Sequence, residues 1–148
     1  MQPALSSKLL SELSCQRVLD GLFAILLSHA HTDHVGLLPQ LSSDPEFTFI
    51  RLAKGTKPKI GLMASPATKD LTSVMLQDAT YNLENQPQLS FTQADVTSIV
   101  NAIDDFLVTG NLSALEDLGH VKTFNAGHIL GSRMILIEYH GIYIGSCH

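Results

Sequence analysis

The sequence predicts a layered α/β domain, and three observations lead to that class. Apolar runs of strand length alternate with segments of helical periodicity through residue 107, a set of strand-like segments joined by a glycine turn follows, and the composition is that of a packed globule. At 148 residues the chain fits one domain, and 45% apolar with 16% charged residues excludes a disordered chain. A net charge of -5 excludes nucleic-acid binding by overall electrostatics, so any polyanion acted on must meet a local basic patch or a metal ion.

Residues 6–18 set Leu9, Leu10, Leu13 and Val18 at helical spacing, and Asp20-Gly21 ends that short amphipathic helix. Residues 22–28 form a continuous apolar run, as expected of a strand covered on both faces. A short helix is expected at 35–41, a polar loop with one strand (47–52) up to Lys59, and a second core strand at 60–64. Ser65-Pro66 reads as an N-cap followed by proline at the first helical position. It opens a helix to about residue 83, with Leu71, Val74, Met75 and Ala79 as its inner face. Residues 92–107 predict a further helix whose apolar stripe is Val96, Ile99, Val100, Ile103, Phe106 and Leu107, with Asp104 and Asp105 on its solvated side. Strands are expected at 120–124, 133–139 and 142–144, with Gly141 making the tight turn between the last two.

The chemistry is concentrated where the first core strand ends. His29-x-His31-x-Asp33-His34 brings four potential metal ligands into one short stretch. In an extended chain, side chains two residues apart face the same way, so His29 and His31 can address one ion. Asp33 and His34, at the turn into the next helix, can address a second. Imidazole and carboxylate donors suit Zn²⁺ best, with Mn²⁺ or Fe also served. Two such ions at roughly 3.5–4 Å can activate a water for attack on phosphorus or a carbonyl carbon. The competing reading is a histidine-rich surface loop. Asn125-Ala126-Gly127-His128-Ile129-Leu130-Gly131-Ser132 is the second constellation, in which two glycines allow a tight bend around His128. Taken alone, His128 reads equally well as a turn histidine; beside the first motif it reads as a third ligand of the first ion.

These segments resemble metallo-β-lactamase-fold proteins. Ser28-His29-Ala30-His31-Thr32-Asp33-His34-Val35-Gly36-Leu37-Leu38-Pro39 is similar to the family's metal motif, and particularly to that of its β-CASP branch of nucleases. Met63-Ala64-Ser65-Pro66-Ala67-Thr68 with Met75-Leu76-Gln77-Asp78, Phe91-Thr92-Gln93-Ala94-Asp95-Val96, and Ala126-Gly127-His128-Ile129-Leu130-Gly131-Ser132 resemble later steps of that branch. The resemblance runs over residues 19–144. It implies the N-terminal half of an αββα sandwich and a zinc-dependent phosphodiesterase acting on RNA or DNA. His29, His31 and His128 would hold the first metal and Asp33 and His34 the second, with Asp33 and His34 as catalytic residues and Asp33 orienting the attacking water.

The family's opening strand pair and its Asp-Cys-Gly have no counterpart around Ser14-Cys15-Gln16. An ungapped alignment puts its metal-bridging aspartate one position beyond His148. The expectation is therefore residues 1–148 as an incomplete domain without the β-CASP insert, weak or inactive alone and prone to self-association through open strand edges. Cys147 or His148 could stand in for the aspartate. Two rivals stay open: another hydrolase of the same fold, such as a thioesterase or lactonase, and a non-catalytic remnant that keeps metal ligands without turnover.

Other features read plainly. Arg51, Lys54, Lys57 and Lys59 form the basic cluster, either a phosphate-facing rim or a solvated loop, and His120 and His140 read as strand-end residues. Two cysteines, Cys15 and Cys147, are too few and too distant for a disulfide framework or a cysteine zinc site, which fits a reducing compartment. The longest apolar run, 22–27, is too short for a bilayer. The opening Met-Gln-Pro-Ala-Leu-Ser-Ser-Lys lacks a leader's pattern, so a cytoplasmic protein without a membrane partner is expected.

Overall fold

Gly61–Ala64 is buried at every residue, which marks it as a central strand. The computed structural model describes residues 24–42, 61–81, 91–105 and 120–146. The expected helix at 6–18, the strand at 47–52, the basic cluster, Cys15, Cys147 and His148 lie outside the described residues. The central strand, β2, pairs in parallel with β1 (Ala24–Leu26) on one side and β3 (Ile103–Asp105) on the other. Ile25 registers with Leu62 and Leu62 with Ile103.

A parallel sheet of apolar strands must be covered on both faces, and here the two covers differ. Leu62, Ala64, Leu27 and Ile103 pack with Val35, Leu38, Leu76, Val96 and Ile99 of the helical layer and with Phe91 from the chain that leads into it. That layer comprises α1 (Thr32–Val35), α2 (Leu38–Ser42), α3 (Pro66–Tyr81) and α4 (Gln93–Ala102). Met63, one step out of phase along β2, points the other way. It packs with Ile135 and with the half-buried Ala24, Leu26, Val121 and Ile137. Those partners introduce a second, antiparallel sheet of β4 (His120–Asn125), β5 (Arg133–Tyr139) and β6 (Ile142–Ser146), in that order. The described residues thus stack helices, a parallel sheet and an antiparallel sheet, a mixed α/β arrangement. No helix among them is long and apolar enough to cross a membrane.

Local chemistry sets the element ends. Ser65 caps α3: its Oγ accepts the Thr68 N–H at 3.1 Å. Thr92 and Asp95 form a reciprocal capping box at α4. At the β5–β6 turn His140 (φ 49°) and Gly141 (φ 79°) are both left-handed between the paired Tyr139 and Ile142, the geometry a two-residue hairpin requires.

Three expectations are corrected. The helix expected over 92–107 stops at Ala102, and Ile103, Asp104 and Asp105 form β3. Ile103 suits a helical stripe and a strand equally, so periodicity hides the switch; pairing with β2 buries Ile103 to 1% exposure and decides it. Asp104 and Asp105 are therefore half-buried strand residues, not a solvated helix face. The inner face of α3 is Thr68, Thr72 and Leu76, while Val74 and Met75 are 62% and 39% exposed. Leu71 is half-buried and Ala79 does pack on the core. The single helix expected at 35–41 is two short ones, and the first begins at Thr32, so Asp33 and His34 are helical.

Candidate metal centre

Beyond β1 the chain is gripped from both layers. Leu27 N–H donates to the Met63 carbonyl at 2.8 Å, extending the parallel ladder, and the Ser28 carbonyl accepts from Arg133 N–H at 2.8 Å. His29 follows at once and is 2% exposed. Ser28 Oγ lies 3.0 Å from His29 Nδ1, a contact that restrains how the ring can turn.

Still extended (φ -65°, ψ 147°), His31 occupies the cap position of α1, and its carbonyl accepts from His34 and Val35 N–H. Its side chain makes no capping hydrogen bond. The ring instead stands edge-on to His29, centroids 4.7 Å apart.

His128 arrives from the loop between β4 and β5. Ser132, 3% exposed, organises that loop: its Oγ accepts from both His128 and Ile129 N–H at 3.2 Å, and its backbone N–H donates to the Ile129 carbonyl at 3.0 Å. At the loop's start Asn125 Oδ1 accepts the Gly127 N–H at 3.0 Å, and Gly127 takes a left-handed φ of 69°.

The three rings meet. Ligand atoms of His29, His31 and His128 all lie within 4.8 Å of one another, and His128 Nε2 is 3.2 Å from His31 Nδ1. Tetrahedral zinc with Zn–N bonds near 2.0–2.1 Å holds its nitrogens about 3.3 Å apart, so this pair already has the spacing of two ligands on one ion. Three imidazoles also leave one position of a tetrahedron for water or substrate. The three imidazoles, one pair of them at ligand spacing, therefore fit a divalent metal ion.

Asp33 and His34 border this trio. The His34 ring is 4.1 Å from that of His29, tilted by 50°. His34 Nε2 is 3.6 Å from Asp33 Oδ2, with the His34 side chain 29% exposed and that of Asp33 81% exposed. Both sit within the single turn of α1, where His34 is the one that lies against the trio. His120 is exposed at the start of β4 and His140 packs edge-on against Tyr139 in the hairpin turn, so neither joins the trio. The role of Ser132 was missed by sequence reasoning; a hydroxyl residue four places after a glycine-flanked histidine is the signal that could have found it.

The chain is similar to curated RNA-processing proteins. It is 30% identical over 125 residues to endoribonuclease YSH1 of Yarrowia lipolytica, covering 81% of this chain and 13% of that protein. The corresponding endoribonuclease of Neurospora crassa is 29% identical over 126 residues. Cleavage and polyadenylation specificity factor 73 of Drosophila melanogaster is 30% identical over 129 residues, covering 84% of this chain and 16% of that protein. The chain thus spans about one sixth or less of the relatives it matches. No protein-family model matches it.

Proposed function

We propose, from the similarity to endoribonucleases and the three converging imidazoles, that this chain carries the metal centre of an RNA phosphodiesterase of the β-CASP metallo-β-lactamase type. The single observation that carries the reading is the approach of His128, from the antiparallel sheet, to within 3.2 Å of His31 on the other layer. The helix–sheet–sheet stack would be part of an αββα sandwich.

His29, His31 and His128 would hold the first ion, zinc by preference, and Asp33 with His34 a second. When bound, the ion supplies Lewis acidity and positive charge at the scissile phosphate. The chain's own residues do the rest. Ser28 orients the His29 ring, and the buried His29 excludes water from the inner side of the site. Asp33, exposed beside His34, would orient the attacking water and accept its proton as the water oxygen bonds to phosphorus; the ester P–O bond breaks and the leaving oxygen takes up a proton from solvent. With a net charge of -5 on the chain, the bound ion would offset the repulsion of an RNA backbone at the centre.

A metal-binding chain without turnover is the second reading, favoured by the 81% exposure of Asp33, which lies outside the converging trio. Zinc content per chain together with hydrolysis of bis-p-nitrophenyl phosphate separates the two. The nuclease reading expects bound zinc and a weak turnover that Asp33→Asn lowers about 10²-fold or more while first-site zinc is retained. Zinc without diester hydrolysis supports the second reading, thioester or lactone turnover points to another hydrolase of this fold, and a chain that takes up no zinc sinks all of these.

A further inference from the structure

We infer that Ser65 and Thr68, at the start of α3, are positioning residues for His128: they clamp the carbonyl of Gly131 and thereby fix the loop that presents the third imidazole. This rests on the metal-site reading above and adds residues that are neither ligands nor neighbours of the ligands in sequence.

Both hydroxyls converge on one acceptor. Ser65 Oγ donates to the Gly131 carbonyl at 2.7 Å and Thr68 Oγ1 donates to it at 3.0 Å, across 66 and 63 residues of chain. The two hydroxyl oxygens are themselves 3.0 Å apart, so three oxygens close a triangle. Ser65 is 2% exposed and Thr68 fully buried, so little water competes for these bonds. Helix capping explains only part of this. The Ser65 cap needs the Thr68 N–H alone, and the Thr68 hydroxyl serves no cap; its acceptor is the distant carbonyl.

Contact at Gly131 is close enough to exclude any other residue. A Cβ there would lie 2.7 Å from Ser65 Oγ, 2.7 Å from Thr68 N and 2.8 Å from the Ala67 Cβ, and φ is 79°. The path onward is short. Ser132 is the next residue, and its hydroxyl accepts the N–H of His128. His128 is exposed, so backbone placement rather than burial decides where its ring stands. Ligand geometry tolerates only about 0.5 Å of error, and partners behind a ligand are typically worth 10–100-fold in metal affinity.

The test is zinc affinity of the full chain by chelator competition, with Co²⁺ absorption as a report on imidazole ligation. Thr68→Val, which keeps shape and removes the hydroxyl, is expected to weaken zinc about tenfold or more and to reduce the cobalt ligand-field band. Thr68→Ser restores both. In a His128→Ala background Thr68→Val should change nothing further, because the interaction it acts through is gone. A general packing defect would weaken both backgrounds equally, and that result overturns the inference, as does affinity within twofold of wild type. Should Thr68→Val fail to fold by circular dichroism, Ser65→Ala carries the same comparison. A wild-type chain that binds no zinc overturns the metal site as well; zinc binding indifferent to these substitutions overturns the clamp alone.

Discussion

His29 shows how a candidate ligand can be restrained by its neighbour in sequence. The ring is buried, and the hydroxyl of the preceding residue, 3.0 Å from Nδ1, restrains its orientation. Ser28 is held in turn by the bond between its carbonyl and Arg133 N–H, so the hydroxyl has a defined place to act from. Ser28→Ala keeps that backbone bond and removes only the orienting group. It should lower zinc affinity about tenfold, read by chelator competition, with an unchanged far-ultraviolet circular dichroism spectrum in the metal-free chain. Wild-type affinity in that variant would mean that burial alone orients His29. The candidate residues His29, His31, Asp33 and His34 were legible in the sequence at this scale because they are nearly contiguous and an extended chain aligns alternate side chains. Ser65, Thr68 and Ser132 were not legible as a unit, since their roles depend on hydrogen bonds closed by tertiary packing.

Elements were legible where one physical signal dominated. The β5–β6 hairpin was visible because Gly141 admits the left-handed turn, and the start of α3 because Ser65-Pro66 is cap chemistry. The phase of α3 was misread because threonine counts as polar in any periodicity, while Thr68 and Thr72 are fully buried. The observed phase has a direct consequence for stability. Leu76, 1% exposed among the helical-layer core, should cost about 2–5 kcal/mol on truncation to alanine. Val74, 62% exposed, should cost no more than about 0.5 kcal/mol on replacement by threonine. Urea denaturation of the two variants checks the assignment: equal losses, or the larger loss at Val74, would place the opposite face of α3 against the sheet. The end of α4 was hidden for a different reason. Ile103 satisfies the helical stripe and the strand alike, and only the vacant edge of β2, a non-local partner, selects the strand.

At the scale of the molecule, the described residues join the two sheets by a slender seam. Among the described residues the helical side of the parallel sheet buries ten core residues in one cluster, whereas the side facing the antiparallel sheet buries Met63 and Ile135, with four half-buried neighbours. Every residue of β6 is exposed. Few buried contacts mean low local stability, so the antiparallel sheet should open before the parallel one. The candidate ligands lie across that seam: His29 and His31 continue from β1, while His128 belongs to the β4–β5 loop. An ion held by all three would tie the layers together, and its effect should be uneven. At about 100-fold over its dissociation constant zinc should stabilise the fold by about 2.7 kcal/mol. Hydrogen exchange should slow more in β4 and β5 than in β2 and α4, because the first pair gains a tether it otherwise lacks. His128→Ala should remove that selective slowing even where His29 and His31 still retain some zinc, since the ligands left are all on one side of the seam. Uniform protection, or protection confined to α1, would mean that the ion is bound without bridging the two sheets.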